Sequence, residues 1–434
     1  MPNPSIPEVA RFASELIAID TTNTGGPGTV GEARAAQYVA DRLTLDGAEP
    51  VVIEPAPHRT SVLLRFAGTE PDAQRGLVVH GHLDVVPADP AEWSVDPFQG
   101  LIRDGCVWGR GAIDMKGTDA VMLAVARNWL RSGVRPRRDV VFAWLADEEA
   151  GGALGAGWLC RERPELLAGC TVAIGEVGGF SIPMGRQTLY PVMTAERARA
   201  RLRITTTGTA GHGSIPRADN PIVALANIIT SVDQIRFPAI ASAAVTGFLD
   251  TVGTVWGLDL AAMPLEVAVA TLGPLGQLIA PSIRHSIVPT VVGGGSAANV
   301  LPGQAQATFD CRIVPGHLDA FRAQLAQTLG DVDDVALEVL SPGMEVPFSG
   351  EVVDAIAAAL SAFDPSAKAL PYMVSASTDA VHFAAAGMAT YGFSPLRLPT
   401  GFPYGSMFHG PDERVPVDGL VFGVEVLDHF LRSV

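Results

Sequence analysis

Helix-like and strand-like patterns alternate along the first part of the chain. Apolar residues recur with helical spacing at 31–43 and 118–133, which predicts two amphipathic helices. Short apolar runs rich in β-branched residues predict buried strands around them. The predicted strands are 51–53, 61–66, 76–81, 139–146 and 171–175. Strands that alternate with helices in this way predict an α/β fold with a mostly parallel central sheet.

The pattern changes in the middle of the chain. There the predicted elements follow the order β-α-β-β-α-β, which is typical of a ferredoxin-like α+β unit. An apolar, mostly helical insertion at about 237–283 interrupts this order, and the helix–strand alternation resumes after residue 345. We therefore predict one α/β domain made of residues 1–195 and 345–434, split by a second domain at 196–344.

The charge balance narrows the range of partners. Lys and Arg number 30 and Asp and Glu number 46, which gives a net charge of −16. Nucleic acids and anionic membranes attract basic surfaces, so neither is an expected partner. The most apolar region, at 237–283, offers no window of the roughly 18 charge-free apolar residues that a membrane span needs. The N-terminal segment lacks the apolar core of a secretory signal, which favours a surface helix of a cytoplasmic protein.

Potential metal ligands follow several predicted strands. They are HGHLD (80–84), ADEEAGG (146–152) and GEVGG (175–179) at strand ends, Asp114 in a Gly-rich turn, and His409 in MFHGPDE (407–413). Taken singly, a DEE triplet or an Asp in a turn is more often ordinary loop chemistry. Because ligands in open α/β sheets lie at the carboxyl ends of strands, the recurrence of such clusters favours one shared metal site.

The HxHxD spacing of His80, His82 and Asp84 allows two interpretations. A metallo-β-lactamase-type hydrolase would use both histidines as zinc ligands, but that motif continues with a further His where this chain has Val85. Its β-sandwich patterning also disagrees with the helix–strand alternation. The other interpretation takes His82 as a ligand and Asp84 as the carboxylate that orients its ring. His80 would then be a bystander or a pocket wall.

Short motifs follow one another along the chain in a specific order. They are GHLDVVP, GRGAIDMKG, DEEAGG, GEVGG, AGHGSIP, NVLPG, DCRIVPG, STDA and FHGPDERVP. In this combination the chain resembles the zinc-dependent family of acetylornithine deacetylase, succinyl-diaminopimelate desuccinylase, aminoacylase and carboxypeptidase S. The details are most similar to the carboxypeptidase S-like branch. The resemblance covers essentially the whole chain and implies a zinc-exopeptidase-like catalytic domain with an inserted lid or dimerisation domain.

The resemblance also implies a set of site residues. It implies two Zn²⁺ per chain, with Co²⁺ or Mn²⁺ as substitutes, held by a bridging Asp114, by His82 and Glu176 at one ion, and by Glu149 and His409 at the other. Glu148 would be the general base that takes a proton from a metal-activated water. Asp84 would orient His82, and the Asp114–Met115 peptide bond would be cis. Imidazole and carboxylate ligands without thiolate suit a catalytic zinc pair.

Residues of the inserted domain would contact the substrate. In the family, the histidine matching His212 hydrogen-bonds the oxyanion, often across a dimer interface. Asn299 and Arg312 match substrate-binding positions, and the fork of Arg312 suits a carboxylate. Ser377 replaces a Gly near the substrate pocket. A further departure is Arg197 where relatives commonly carry Lys.

Together these observations predict a cytoplasmic, two-zinc hydrolase that cleaves an amide bond next to a free carboxylate. Its substrates would be N-acyl amino acids or short peptides, and a homodimer through the lid domain is an implied assembly. A metallo-β-lactamase-type hydrolase and a catalytically inactive binding relative are the alternatives. The presence of all five implied ligands and of Glu148 favours an enzyme.

Overall fold

The computed structural model describes residues 6–70, 75–330, 332 and 334–434. The first five residues of the predicted N-terminal surface helix lie outside the described residues. The described helix begins at Glu8 and ends at Ile17, and it buries Val9, Phe12 and Leu16 on one face. No described helix is both long and apolar enough to cross a membrane.

The helices and strands are numbered in chain order. The helices are α1 (Glu8–Ile17), α2 (Ala33–Leu45), α3 (Lys116–Ser132), α4 (Ala156–Glu162), α5 (Pro221–Asp233), α6 (Ala243–Trp256), α7 (Leu265–Thr271), α8 (Leu318–Leu329), α9 (Glu351–Phe363), α10 (Ala380–Ala385), α11 (Tyr404–Met407) and α12 (Val417–Ser433). The strands are β1 (Val51–Ala56), β2 (Arg59–Phe66), β3 (Gly76–His82), β4 (Leu101–Arg103), β5 (Cys106–Trp108), β6 (Val140–Leu145), β7 (Cys170–Gly175), β8 (Ile182–Met184), β9 (Gln187–Glu196), β10 (Ala198–Thr207), β11 (Gly211–His212), β12 (Ser286–Gly294), β13 (Val300–Leu301), β14 (Gln304–Ile313), β15 (Asp334–Ser341), β16 (Met344–Glu345), β17 (Ala367–Val374), β18 (Ala389–Gly392) and β19 (Arg414–Pro416).

The described chain divides into two compact units. The first takes in the described residues of Met1–Thr194, Val346–Tyr372 and Thr378–Val434, and the second those of Ala195–Glu345 and Met373–Ser377.

A mixed sheet forms the centre of the first unit. Its middle strands are parallel and lie in the order β6-β3-β7-β18. At one side β2 pairs antiparallel with β6 and β1 pairs antiparallel with β2, and at the other side β9 runs antiparallel to β18. The α/β fold class predicted from the sequence is therefore confirmed, with four neighbouring parallel strands at the centre of a mixed sheet.

Helices cover the buried strands of this sheet. All seven residues of β3 are buried, as expected for a strand that is covered on both faces. On one face Leu159 of α4 and Phe383 of α10 pack in a core cluster with Val78, Val141 and Ala173 of the parallel strands. This packing leaves the carboxyl ends of β3, β6 and β7 as the edge at which polar side chains can gather.

The second unit is built on an antiparallel four-stranded sheet in the order β12-β14-β10-β15. Its elements follow the predicted order β-α-β-β-α-β, and α6 and α7 lie within the predicted helical insertion. Leu225 of α5 and Phe321 of α8 pack with Leu202 and Phe309 of the sheet. One face of the sheet is thus covered by helices, which accounts for the alternating burial along β14.

Candidate metal centre

Three of the predicted ligand clusters lie at the carboxyl ends of neighbouring parallel strands. His82 is the last residue of β3, Glu176 follows β7 directly, and Glu148 and Glu149 follow β6. Because β6, β3 and β7 are parallel neighbours, their carboxyl ends meet at one edge of the sheet. The strand order therefore brings together side chains that are up to 94 residues apart, counted as 176 minus 82.

Asp114 lies between the two predicted histidine ligands. Its Oδ1 is 3.0 Å from Nε2 of His82, and its Oδ2 is 3.2 Å from Nε2 of His409. The ligand atoms of His82, Asp114 and Glu176 lie within 4.8 Å of one another, and so do those of Asp114, Glu149 and His409. One carboxylate is thus shared by two ligand groups. The Asp114–Met115 peptide bond is cis, as the resemblance implied.

Glu148 lies at the same site. Its Oε2 is 3.9 Å from Nε2 of His82, and the ligand atoms of His82, Glu148 and Glu149 also lie within 4.8 Å of one another. Distance by itself does not separate a metal ligand from a general base in this cluster. The assignment of Glu148 as the base therefore stays a prediction from the resemblance.

Asp84 fixes the backbone of the loop that carries Glu148 and Glu149. The buried carboxylate of Asp84 accepts hydrogen bonds from the backbone N–H of Glu148 at 3.2 Å and of Glu149 at 3.0 Å. Nδ1 of His82 lies 3.0 Å from the backbone carbonyl oxygen of Asp84 and 3.5 Å from its carboxylate. Donation from Nδ1 to that carbonyl leaves Nε2 of His82 free to bind a metal. Asp84 thus contacts both predicted ligand segments.

The DEEAGG sequence lets this loop turn back tightly. Gly152 has a positive φ of 66°, which other residues adopt at a cost. A Cβ atom at Gly152 would lie 2.2 Å from Oδ1 of Asp379. The second glycine of the motif is therefore required by both backbone conformation and space.

Polar residues that no motif marked extend this network. Nδ2 of Asn23 donates to Asp84 at 2.8 Å, and Oδ1 of Asn23 accepts from Arg59 at 2.9 Å. Arg59 also forms a buried ion pair with Glu32 at 2.6 Å. These residues are more than 20 positions from Asp84 in the sequence, so local patterns could not reveal them.

The electrostatics of the cluster favour the binding of cations. Burial raises the pKa of Glu176 to about 7, and burial together with neighbouring carboxylates raises the pKa values of Glu148 and Glu149. Hydrogen bonds to Asp114 and Glu149 raise the pKa of His409 to about 10. Burial alone would raise the pKa of Asp114, but hydrogen bonds from the two imidazoles hold it below its usual range. The site therefore concentrates more negative charge than its histidines neutralise.

These residues fit a pair of divalent metal ions. Imidazole nitrogens and carboxylate oxygens are ligands that zinc accepts, and catalytic zinc sites rarely need thiolates. Oε1 of Glu149 is buried and, among the described residues, has no hydrogen-bond partner. An unpaired buried carboxylate oxygen is costly unless a cation or a donor satisfies it.

The residues predicted to contact substrate lie in the second unit. β11 and β13 pair so that His212 lies opposite Val300, and Gly213 N–H donates to the Asn299 carbonyl at 2.8 Å. His212 is exposed, and its Nδ1 lies 2.8 Å from Oγ of Ser214. His212 and Asn299 are therefore on adjoining loops.

Arg312 and Ser377 lie elsewhere in this unit. Arg312 is part of β14 and donates from Nε to Asp310 at 2.8 Å. Ser377 is partly buried. The buried Arg197, where relatives commonly carry Lys, donates to the carbonyl of Ser375 at 3.3 Å and to that of Pro281 at 2.8 Å. Arg197 thus ties the end of the helical insertion to the segment that contains Ser377.

Comparison with known protein families assigns the chain. The model described as peptidase family M20/M25/M40 matches residues 78–433. The chain belongs to this family. The family resemblance drawn from the motifs is confirmed, and the chain is an M20 family hydrolase of a metal-dependent kind.

Individual relatives agree with this assignment. Aminoacylase-1 of Sus scrofa is 29% identical over 412 residues, which cover 92% of this chain and 89% of the relative. The N-fatty-acyl-amino acid synthase/hydrolase PM20D1 of Mus musculus is 27% identical over 86% of this chain and 76% of the relative. The M20 family metallo-carboxypeptidase Sso-CP2 of Sulfolobus solfataricus superposes with a TM-score of 0.71 and 17% identity over 98% of this chain and 99% of its own. That structure supports the fold.

His80 does not join the ligand cluster of this M20 hydrolase. Its ring packs against Phe383 with a centroid distance of 4.5 Å, and it belongs to none of the ligand groups found among the described residues. Burial lowers the pKa of His80 to about 3, so the ring is neutral. A zinc site built on both histidines of the HxHxD stretch therefore disagrees with the fold and with the position of His80.

Proposed function

We propose that this M20 family chain is a dinuclear zinc hydrolase that cleaves an amide bond adjacent to a free carboxylate. The observation that carries this proposal is the shared carboxylate of Asp114, whose two oxygens face two different histidines at 3.0 and 3.2 Å. A single ion would need only one of these oxygens. Two ions bridged by one carboxylate account for both.

The proposed ligands are those implied by the motifs. One Zn²⁺ would be held by His82, Asp114 and Glu176, and the other by Asp114, Glu149 and His409, with Co²⁺ or Mn²⁺ as substitutes. When bound, such a pair lowers the pKa of a water molecule and polarises the carbonyl of the scissile amide. The raised pKa values of Glu149 and Glu176 support this assignment, because cations would replace the protons that burial otherwise favours.

Glu148 is the proposed general base. Its carboxylate would accept a proton from the attacking water and return it to the leaving amine. The pKa of Glu148 is raised well above its ordinary value by burial and by the charge of Glu176, which suits a group that must hold a proton between these steps. Asp84 fixes the backbone of Glu148 and so fixes where the proton is held.

The proposed substrates are N-acyl amino acids or short peptides. Arg312 would hold the free carboxylate with its guanidinium fork. His212 would hydrogen-bond the oxyanion, and Asn299 and Ser377 would contact the rest of the substrate. The names of the relatives support this class, since both an aminoacylase and an N-fatty-acyl-amino acid synthase/hydrolase match most of the chain. The acidic net charge of −16 argues against nucleic acid or anionic membrane as a partner, and the cytoplasm is the proposed location.

The domain roles are part of the same proposal. Residues 1–195 and 345–434 would form the catalytic domain, and 196–344 the lid and dimerisation domain. The edge strand β12 supports a homodimer, because Val288, Val291 and Val292 are exposed along it. An exposed apolar edge strand is prone to pair with another chain. Light scattering of the purified protein should then report twice the mass of one chain.

A substrate panel tests the function. It compares N-acetyl, N-long-chain-acyl and N-aminoacyl amino acids with matched compounds whose carboxylate is converted to a primary amide. We expect kcat/KM to fall about 10–100-fold when the carboxylate is removed, since hydrogen bonds to a charged group are worth roughly 1.5–3 kcal/mol. Equal turnover of the acids and the amides would contradict the proposed role of the carboxylate. No turnover of any member would support an inactive binding protein instead.

A further inference from the structure

Glu413 is a buried carboxylate for which the function above has no use. It lies four residues after His409 in the motif FHGPDERVP and is fully buried. Its Oε1 accepts from the backbone N–H of Ile113 at 2.6 Å and of Asp114 at 3.0 Å. Its Oε2 accepts from the N–H of Gly111 at 3.0 Å. Glu413 therefore fixes the backbone of the turn that presents the shared ligand.

Arg110 completes this arrangement from the opposite segment. Its Nη1 donates to Glu413 at 2.7 Å and to the Gly410 carbonyl at 3.1 Å. Its Nη2 donates to the carbonyl of His409 itself at 3.0 Å. Arg110 is only 3% exposed, and Nε is its one buried donor without a partner among the described residues. Its two terminal nitrogens make several hydrogen bonds, and such a buried ion pair is rigid. Two residues thus tie the Asp114 turn to the His409 loop, although about 300 positions separate them in the chain.

The ligand group of His82 and the ligand group of His409 depend to different extents on the contacts made by Arg110 and Glu413. His82 is buried, belongs to a central strand, and has its ring held by the Asp84 carbonyl. The side chain of His409 is 54% exposed, and its ring is within 4 Å of the carboxylates of Asp114 and Glu149. The position of the His409 ring therefore rests on its backbone, and Arg110 holds that backbone.

We propose that Arg110 and Glu413 are positioning residues that set the affinity of the ion held by Asp114, Glu149 and His409. This inference rests on the proposed dinuclear site. Arg110 holds the His409 backbone directly and reaches Asp114 only through Glu413, so its loss weakens chiefly the ion on the His409 side. Glu413 acts on Asp114, which both ions share, so its loss weakens both.

Titration of metal-free protein with Zn²⁺ or Co²⁺ tests this proposal without an activity assay. We expect the wild type to bind two equivalents. Arg110→Lys keeps a cation beside Glu413 but loses the fork that reaches two carbonyls at once. The affinity of one equivalent should fall about 10–100-fold, the range typical of residues that support metal ligands, and that of the other should change less than about threefold. Glu413→Gln should weaken both equivalents.

Arg127→Met is the matched control, because this arginine forms ion pairs with Asp46 and Glu8. It should bind both equivalents as the wild type does. Circular dichroism of the metal-free variants checks that they are folded. If Glu413→Gln does not fold, the titration of Arg110→Lys alone tests the proposal. Arg110→Lys that binds both ions with wild-type affinity, or that loses both equally, overturns the inference while the proposed function stands. A wild type that binds fewer than two equivalents overturns both.

Discussion

The metal centre of the first unit and the predicted substrate residues of the second unit are built in contrasting ways. In the first unit His82, Asp84 and Glu176 are buried, and each is placed by the end of a covered strand or by several hydrogen bonds. In the second unit His212 is exposed on the two-residue strand β11, and Arg312 is partly exposed beside Asp310.

This difference shows where the fold places the residues that bind metal and where it places the residues that recognise substrate. A metal pair needs ligands held within a few tenths of an ångström, and buried strand ends provide that precision. Contacts to a variable substrate are placed on loops, which tolerate exchange of side chains. We therefore expect changes in the first unit to act on metal binding or the chemical step, and changes at the substrate-binding residue Arg312 of the second unit to act on KM.

Glu148→Gln should have the largest effect. The amide cannot take up a proton, so kcat should fall about 10²–10⁴-fold, the usual contribution of a general base. Metal analysis of the purified variant should still find two ions per chain. Glu162→Gln, which changes an exposed carboxylate on α4, is the control. A variant that loses its metals would make Glu148 a ligand instead.

Asp84→Asn should weaken metal binding itself. The amide keeps the shape but offers one acceptor oxygen where two are used, so the N–H group of either Glu148 or Glu149 loses its acceptor. We expect metal affinity, measured by competition with a chelator, to fall about 10–100-fold. Unchanged affinity would mean that this hydrogen-bond network does not hold the ligand loop.

Arg312→Met tests the other side of the comparison. Loss of the guanidinium fork should raise KM for a carboxylate-bearing substrate about 10–100-fold, with metal content unchanged. Arg322→Met, on the exposed face of α8, serves as the control. A fall in metal content, or an effect on kcat alone, would contradict a role in substrate binding.

The stability of the metal-free protein should fall as pH rises from about 6.5 to 8. The folded pKa values of Glu176 and Glu32 are raised from 4.5 to about 7, and that of His409 from 6.5 to about 10. In this window the folded state therefore holds more protons than the unfolded state, and its stability falls as they are lost. His80 and His285, with pKa values lowered from 6.5 to about 3 and about 4, oppose this fall in stability chiefly at and below the lower end of the window. Lys116, with its pKa lowered from 10.5 to about 8, opposes it at the upper end. Urea midpoints that rise across the window would contradict the assignment, and added zinc should stabilise more at the higher pH.

His80→Ala should have the smallest effect on the site. It removes a buried ring that packs on Phe383, so a loss of about 2 kcal/mol in the free energy of unfolding is expected. The protein should still bind two metal ions, because His82 alone of the HxHxD stretch is a proposed ligand. Loss of one ion in this variant would support the interpretation in which both His80 and His82 bind zinc.

The strand ends explain why the place of the site could be predicted. Apolar runs mark β3, β6 and β7, and parallel neighbours place their carboxyl ends together, so the clusters that contain His82, Glu149 and Glu176 followed from local patterns. The choice of ligands within those clusters came from the family resemblance. The antiparallel pairing of β1 with β2, of β2 with β6 and of β9 with β18 could not be predicted. A short apolar run does not indicate which strand it will pair with or in which direction.

The supporting residues were missed for a related reason. Asn23 reaches Asp84 across 61 positions, and Glu413 reaches Asp114 across 299. Such pairs have no periodicity and no fixed spacing in the sequence. Their supporting role depends on contacts that form only when the chain folds. Both Glu413 and Arg110 stood within recognised motifs, yet the motifs assigned them no role.

Restoration of activity to metal-free enzyme tests the central claim most directly. The protein is stripped by dialysis against a chelator, and Zn²⁺ is then added in steps while hydrolysis of an N-acyl amino acid and bound metal are measured on the same samples. We predict no activity in the stripped protein and full activity when two Zn²⁺ are bound per chain. Full activity in protein shown to be free of metal would contradict a dinuclear hydrolase.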